Sequence, residues 1–221
     1  MGEDPARVLN VGAPGVDEAL HAERLDRAQM ERELRIPLRK PVLLVTYHPV
    51  VIGGGKPERG LTEMLAALDK FDATFVFTRP NADPGGRSLN RIIDSFVAAH
   101  SGRAVAVTSL GRQRYISMLG LADAVIGNSS SGLIEAPAMG TPTVNIGSRQ
   151  SGRLRGNSVI EAEETADSVR KAIEKALSAN FREKMVKSRS PYGAGGAAEK
   201  ITDVLASADL SQILTKRFHD R

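Results

Sequence analysis

The 221-residue chain contains no cysteine and no tryptophan. Without thiols there is no disulfide, no thiolate zinc centre and no cysteine nucleophile, a composition that fits a reducing cytoplasm. Aromatic residues make up only 4%, too few for the stacking platforms of a single-stranded nucleic-acid groove. No apolar stretch approaches the roughly 20 residues that a membrane helix requires. The opening Met1-Gly2-Glu3-Asp4 is acidic and leads into no apolar run, unlike a signal peptide. Ala6 occupies the place where a myristoylation site carries a hydroxyl. His21, His48, His100 and His219 are scattered without ligand spacing, so no metal site is expected. These features predict a cytoplasmic protein with neither nucleic acid nor membrane as partner.

What is present points to a globular chain: 41% hydrophobic and 25% charged residues. With 30 basic against 26 acidic residues, the net charge of +4 is mild. It leaves room for a local basic site for a phosphorylated small molecule. The length suits one large domain with a substantial core.

The segment 7–15 (RVLNVGAPG) reads as a short strand entering a Gly/Pro turn, and 16–36 as one or two charged amphipathic helices. Apolar strands then alternate with helices. Strands are expected at 42–47 (VLLVTY), 73–78, 104–108, 124–127 and 143–146, with a last one at 158–160. Helices are expected at 61–71, 89–100, 113–121, 132–139 and 165–178. Continuous apolar strands alternating with helices predict an α/β fold with a doubly wound parallel sheet, covered on both faces. The tail adds a turn at 190–196, a helix at 197–207 and a separate basic amphipathic piece at 210–218.

The most informative stretch is Gly127-Asn128-Ser129-Ser130-Ser131-Gly132, lying between a strand and a helix. Ligands of open α/β sheets bind outside the carboxyl ends of the strands. A helix start there offers free N–H groups and the positive end of its dipole. Ser129 and Ser130 add hydroxyls, so the loop is a candidate diphosphate cradle; a single serine would suffice as an N-cap. Glu135, one turn later, serves either the helix dipole or the diol of a ribose. His48 directly follows the strand 42–47; as an imidazolium it would bind a phosphate oxygen or assist a leaving group. Arg149, in a basic Gly-rich loop after the strand 143–146, is a candidate diphosphate or sugar clamp. Asn81 is a strand-end polar residue that on its own signals only a turn. The run Gly53-Gly54-Gly55-Lys56 lacks P-loop spacing and reads as a flexible loop.

Taken together, several runs resemble the hydrolysing UDP-N-acetylglucosamine 2-epimerases. They are Asn10 to Gly15, Thr46-Tyr47-His48-Pro49-Val50, the Gly127–Gly132 loop, Glu135-Ala136-Pro137, Gly140-Thr141-Pro142 and Asn145 to Arg153. The likeness covers nearly the whole chain. It implies the C-terminal Rossmann-like half of a glycosyltransferase-B-type fold. Residues 1–40 would be the interdomain strand and helical linker, 41–190 the UDP-binding domain, and 191–221 helices crossing to an N-terminal Rossmann-like domain. The implied ligand is UDP-N-acetylglucosamine or UDP. The implied reaction eliminates UDP across C1–C2 and hydrates the glycal to N-acetylmannosamine, with no redox cofactor. His48 matches the family's catalytic histidine near the diphosphate. Ser129 and Ser130 match its phosphate binders, Glu135 its ribose binder, and Arg149 and Asn81 further nucleotide-site positions. Leu110 falls where a backbone group meets uracil. His48-Pro49-Val50-Val51 replaces the His-Arg-Arg-Glu of the non-hydrolysing branch, which favours the hydrolysing one. The family's catalytic carboxylates belong to the N-terminal domain, so a non-catalytic UDP-sugar-binding module, or another transferase of this fold, is the alternative. A homo-oligomer is a further arrangement that the resemblance suggests.

Overall fold

The computed structural model describes residues 3–50, 56–81, 84–185 and 190–209. Gly53 to Gly55 and the segment 210–218 lie outside them. Among the described residues six strands form one parallel sheet: β1 (Val42–Thr46), β2 (Thr74–Thr78), β3 (Ala104–Val107), β4 (Ala124–Gly127), β5 (Thr143–Ile146) and β6 (Val159–Ala162). Their order is β3-β2-β1-β4-β5-β6. The chain therefore winds outward from β1 in one direction and, after β3, from β4 in the other. That is the doubly wound, Rossmann-like topology, with its switch point between β1 and β4.

The helices are α1 (Pro14–His21), α2 (Arg27–Leu34), α3 (Pro57–Leu68), α4 (Gly86–Ala99), α5 (Gly111–Leu121), α6 (Ser131–Ala138), α7 (Ala166–Leu177), α8 (Ala179–Met185) and α9 (Ala197–Ser207). β1 is buried along its whole length, and its side chains alternate between two cores, as a strand's period of two dictates. Leu43, Val45 and Tyr47 join α3, α4 and α7 on one face. Val42 and Leu44 join α2 and α5 on the other. Leu61, Met64, Leu65 and Leu68 lie on the buried face of α3.

The opening segment departs from expectation. Residues 8–13 pair with no strand among the described residues; a 3-10 turn at Pro5–Arg7 precedes them. The Ala13 N–H donates to the Tyr192 carbonyl at 2.9 Å, while the Val8 and Gly12 N–H groups bond locally to the Pro5 carbonyl and Asn10 Oδ1. Gly12 has φ +91, a left-handed value that breaks an extended run, and Pro14 then starts α1 at its first turn. The tail is fastened to the same region, because Asp17 accepts the N–H groups of Ala197 (3.2 Å) and Ala198 (2.7 Å) at the start of α9. These bonds hold the Asp17 carboxyl below its ordinary value. α8 is a helix beyond those expected. It follows α7 after one extended residue, Ser178, which is too brief a break to register as a boundary between two helical patterns.

Candidate functional site

Close approach of backbones defines the switch point. Thr46 and Gly127 are register partners on β1 and β4. A Cβ on Gly127 would lie 1.9 Å from the Thr46 carbonyl oxygen, so only glycine lets the two strand ends meet here. Beyond those ends lies a cleft of about 290 Å³. Its floor and walls are rich in hydroxyls: Thr46, Thr78, Ser109, Tyr115, Ser129 and Ser131. Thr108, His48, Leu110 and Gly111 complete the lining. A second cavity of about 230 Å³, lined by Pro137, Gly140, Ser158 and Met185, sits toward the amino ends of β5 and β6. That is the wrong end of a parallel sheet for the ligand.

At the mouth of the cleft, Ser130 is the N-cap of α6 and makes no side-chain capping bond. Among the described residues nothing accepts the backbone N–H of Ser129 or Ser130. Ser129 Oγ accepts the Ser131 N–H at a long 3.4 Å, and Ser130 Oγ has no partner among the described residues. Two backbone donors, two hydroxyls and a helix dipole thus converge where an anion is stabilised. Ser131 differs from its neighbours, since it receives the Tyr115 hydroxyl at 2.7 Å. Burial pushes the Tyr115 hydroxyl up, which keeps it a proton donor. Thr46 and Thr78 share a short hydroxyl contact of 2.5 Å along the floor.

His48 is held from both sides. Its ring Nδ1 accepts the backbone N–H of Asn81 at 3.2 Å. A backbone N–H can only donate, so this bond makes Nδ1 the acceptor and puts the ring proton on Nε2. In this geometry Nδ1 is the accepting nitrogen and Nε2–H the ring's donor. The same bond brings Asn81 to the site. Leu110, buried, opens α5, and its carbonyl accepts the Arg114 Nε at 2.7 Å; its N–H has no partner among the described residues.

Glu135 lies one turn along α6 from Ser131, with its carboxylate over Gly15 of α1. A Cβ on Gly15 would meet Glu135 Oε1 at 2.5 Å. Glu135 Oε2 is buried with no hydrogen-bond partner among the described residues. Burial is the main cause that pushes this carboxyl above the ordinary glutamate range; its own N–H and the Ser131 hydroxyl offset part of it, and Glu18 adds to it. The folded state therefore holds this proton more tightly than the unfolded chain does. The associated stability is present at low pH and is lost as pH rises through the raised value. Glu135→Gln is accordingly expected to melt above the wild type at pH 7, with the gap closing toward about pH 4, a trend that thermal melts across pH read directly.

Arg149 stands outside the cleft lining, and its Nη1 donates to the Asn128 carbonyl at 3.1 Å. The structure thus brings His48, Leu110 and Ser129 to the lining of one cleft, with Asn81 bonded to the His48 ring and Ser130 at the adjoining start of α6. Glu135 sits one helical turn beyond, and Arg149 is bonded to the backbone of the serine loop. Asn128, Tyr115, Thr46 and Thr78 escaped the sequence reading. Among the described residues no helix is long and apolar enough to cross a membrane.

The chain is similar to a GDP/UDP-N,N'-diacetylbacillosamine 2-epimerase (hydrolyzing) from Campylobacter jejuni, 34% identical over 222 residues, covering all of this chain and 57% of that protein. It is similar to a UDP-N,N'-diacetylbacillosamine 2-epimerase (hydrolyzing) from Legionella pneumophila, 30% identical, covering 98% of this chain and 56% of that protein. The S. aureus MnaA–UDP co-structure superposes with a TM-score of 0.69 at 17% identity, over 92% of this chain and 54% of that one. That likeness fixes the fold as one Rossmann-like half of the glycosyltransferase-B type. The chain spans a little over half the length of the curated relatives it matches. With the family model described as UDP-N-acetylglucosamine 2-epimerase matching residues 1–206, the chain belongs to the UDP-N-acetylglucosamine 2-epimerase family.

Proposed function

We propose that this chain is the UDP-binding half of a hydrolysing 2-epimerase acting on UDP-N-acetylglucosamine or a closely related UDP-linked acetamido sugar. The observation that carries the reading is the convergence of uncapped α6, the Ser129 and Ser130 hydroxyls and the His48 Nε2–H at the β1/β4 switch point. In this reading the serine loop takes the diphosphate, and the His48 Nε2–H donates a hydrogen bond to a phosphate oxygen as charge builds on the departing UDP. The Leu110 backbone meets uracil, Glu135 accepts the ribose diol, Arg149 adds positive charge to the diphosphate, and Asn81 orients His48.

The chemistry conserves oxidation state, so it calls for no redox cofactor. A base removes the C2 proton, the C1–O bond breaks, and UDP leaves with the electron pair. Water then adds across the resulting double bond, with hydroxyl at C1 and a proton on the opposite face of C2, giving the free 2-epimer. The carboxylates for those proton transfers are assigned to a first Rossmann-like half. Residues 1–40 lead in from it, 41–190 bind the nucleotide, and 191–221 return to it. Mixing this chain with a matching first half is expected to release UDP and the 2-epimer, while this chain alone shows no turnover. A well-formed complex that binds UDP yet turns nothing over would instead favour a non-catalytic UDP-sugar-binding module.

A second choice of sugar is favoured by one observation. The relatives at 34% and 30% identity carry diacetylbacillosamine in their names. Assaying the reconstituted enzyme with UDP-N-acetylglucosamine and with UDP-N,N'-diacetylbacillosamine decides between them.

A further inference from the structure

Asn128 is fully buried at the carboxyl end of β4, and every polar group it owns is hydrogen-bonded within the site. Its side-chain Oδ1 accepts the His48 backbone N–H at 2.7 Å, and its Nδ2 donates to the His48 carbonyl at 2.9 Å. The amide thus grips both backbone polar groups of one residue, as a neighbouring strand would, at the point where the ladder has ended. Its own N–H donates to the Thr46 carbonyl at 3.1 Å. Its carbonyl accepts both the Arg149 guanidinium at 3.1 Å and the buried Gln150 Nε2 at 2.8 Å. Loops that follow β1, β4 and β5 therefore converge on one side chain and one peptide unit. Seventy-nine residues separate His48 from Asn128 (128 − 48 − 1), so no local propensity ties them together.

We propose that Asn128 is a positioning residue for the reaction. It fixes the His48 backbone so that Nδ1 meets the Asn81 N–H and the ring presents Nε2–H to the cleft, and it seats Arg149 against the serine loop. The proposal rests on the UDP-site reading for its functional consequence, but its structural half stands on the ligand-free chain. Asn is the residue type suited to the place. Only an amide offers one acceptor and one donor at the spacing of a backbone pair, and a supporting shell of this kind holds reacting groups within a fraction of an ångström.

The test reads the His48 ring by nitrogen NMR of histidine-labelled full chain, with the His48 signals assigned from a His48→Gln variant, alongside calorimetric titration of UDP. Wild-type His48 is expected to show one neutral tautomer, protonated at Nε2. In folded Asn128→Ala the two tautomers are expected to average, and UDP affinity to fall by about tenfold or more, the equivalent of one well-placed hydrogen bond. A merely structural asparagine would lower the melting temperature and leave both readouts where they were; that result overturns the proposal. So does a wild-type ring protonated at Nδ1. Should Asn128→Ala fail to fold, Asn128→Asp takes its place. It keeps the acceptor for the His48 N–H and loses the donor to the carbonyl, so partial averaging supports the proposal and unchanged ring signals overturn it. A wild-type chain with the expected His48 tautomer, averaging in the variant and no UDP binding would uphold the positioning role and count against the UDP reading instead.

Discussion

Gly127→Ala is expected to lower the melting temperature by roughly 10 °C or more, or to prevent folding altogether. Gly127 has φ +133, a backbone region closed to L-residues at low cost. Its added Cβ would sit 1.9 Å from the Thr46 carbonyl oxygen and 2.7 Å from the carbonyl carbon. The obstruction is the backbone of β1, a central strand flanked on both sides, so it cannot rotate away as a side-chain tip would. Relief would separate β1 from β4 and break the Asn128 N–H bond to Thr46. A loss above about 4 kcal/mol is the expected scale for a forced backbone clash in a core, a large share of the ~5–15 kcal/mol that holds a domain folded. Gly140→Ala is the control. Gly140 also has a left-handed φ, +67, but nothing lies within 4 Å of its added Cβ, so only the conformational cost of roughly 1 kcal/mol applies. Thermal melts followed by far-UV circular dichroism compare the two. A Gly127→Ala chain that melts with the control would remove the close contact from the account of the switch point.

Ser129→Ala/Ser130→Ala is expected to weaken UDP binding at least about a hundredfold while leaving the melting temperature nearly unchanged. Hydrogen bonds to a charged group contribute about 1.5–3 kcal/mol each, so losing two is worth roughly 3 kcal/mol or more. The cost to the fold is small because the hydroxyls do little in the ligand-free chain. Ser129 Oγ accepts one long bond from Ser131, and Ser130 Oγ has no partner among the described residues. Ser131→Ala is the informative contrast. It forfeits the bond from the half-buried Tyr115 hydroxyl and is expected to cost stability first. Glu135→Gln should behave in a third way, melting higher at neutral pH yet binding UDP less tightly, if its carboxylate takes the ribose diol.

The strands were legible because each is a short apolar run, and the boundaries of β4 and β5 coincide with those runs residue for residue. His48, Ser129 and Ser130 were legible for a related reason. A polar residue just after a strand of a parallel sheet is placed at the ligand end by the strand itself. The opening segment misled because Val8 and Val11 suggest a strand, whereas a strand is defined by its neighbour and here the neighbour is the Tyr192 turn. Tyr115, Thr46 and Thr78 meet only through strand order and helix placement, which period and composition do not encode. Asn128 was visible within its motif, but its grip on His48 depends on β1 and β4 lying side by side, a fact of topology. The contact between the Asn81 N–H and His48 Nδ1 was hidden for the same reason, because Asn81 follows a different strand.

The most direct measurement is calorimetric titration of UDP into the folded wild-type chain, repeated on the Ser129→Ala/Ser130→Ala variant. The account predicts saturable one-to-one binding by the wild type that the variant loses. A folded wild-type chain that takes up no UDP, or a variant that binds it equally well, would contradict the assignment of the diphosphate to the start of α6.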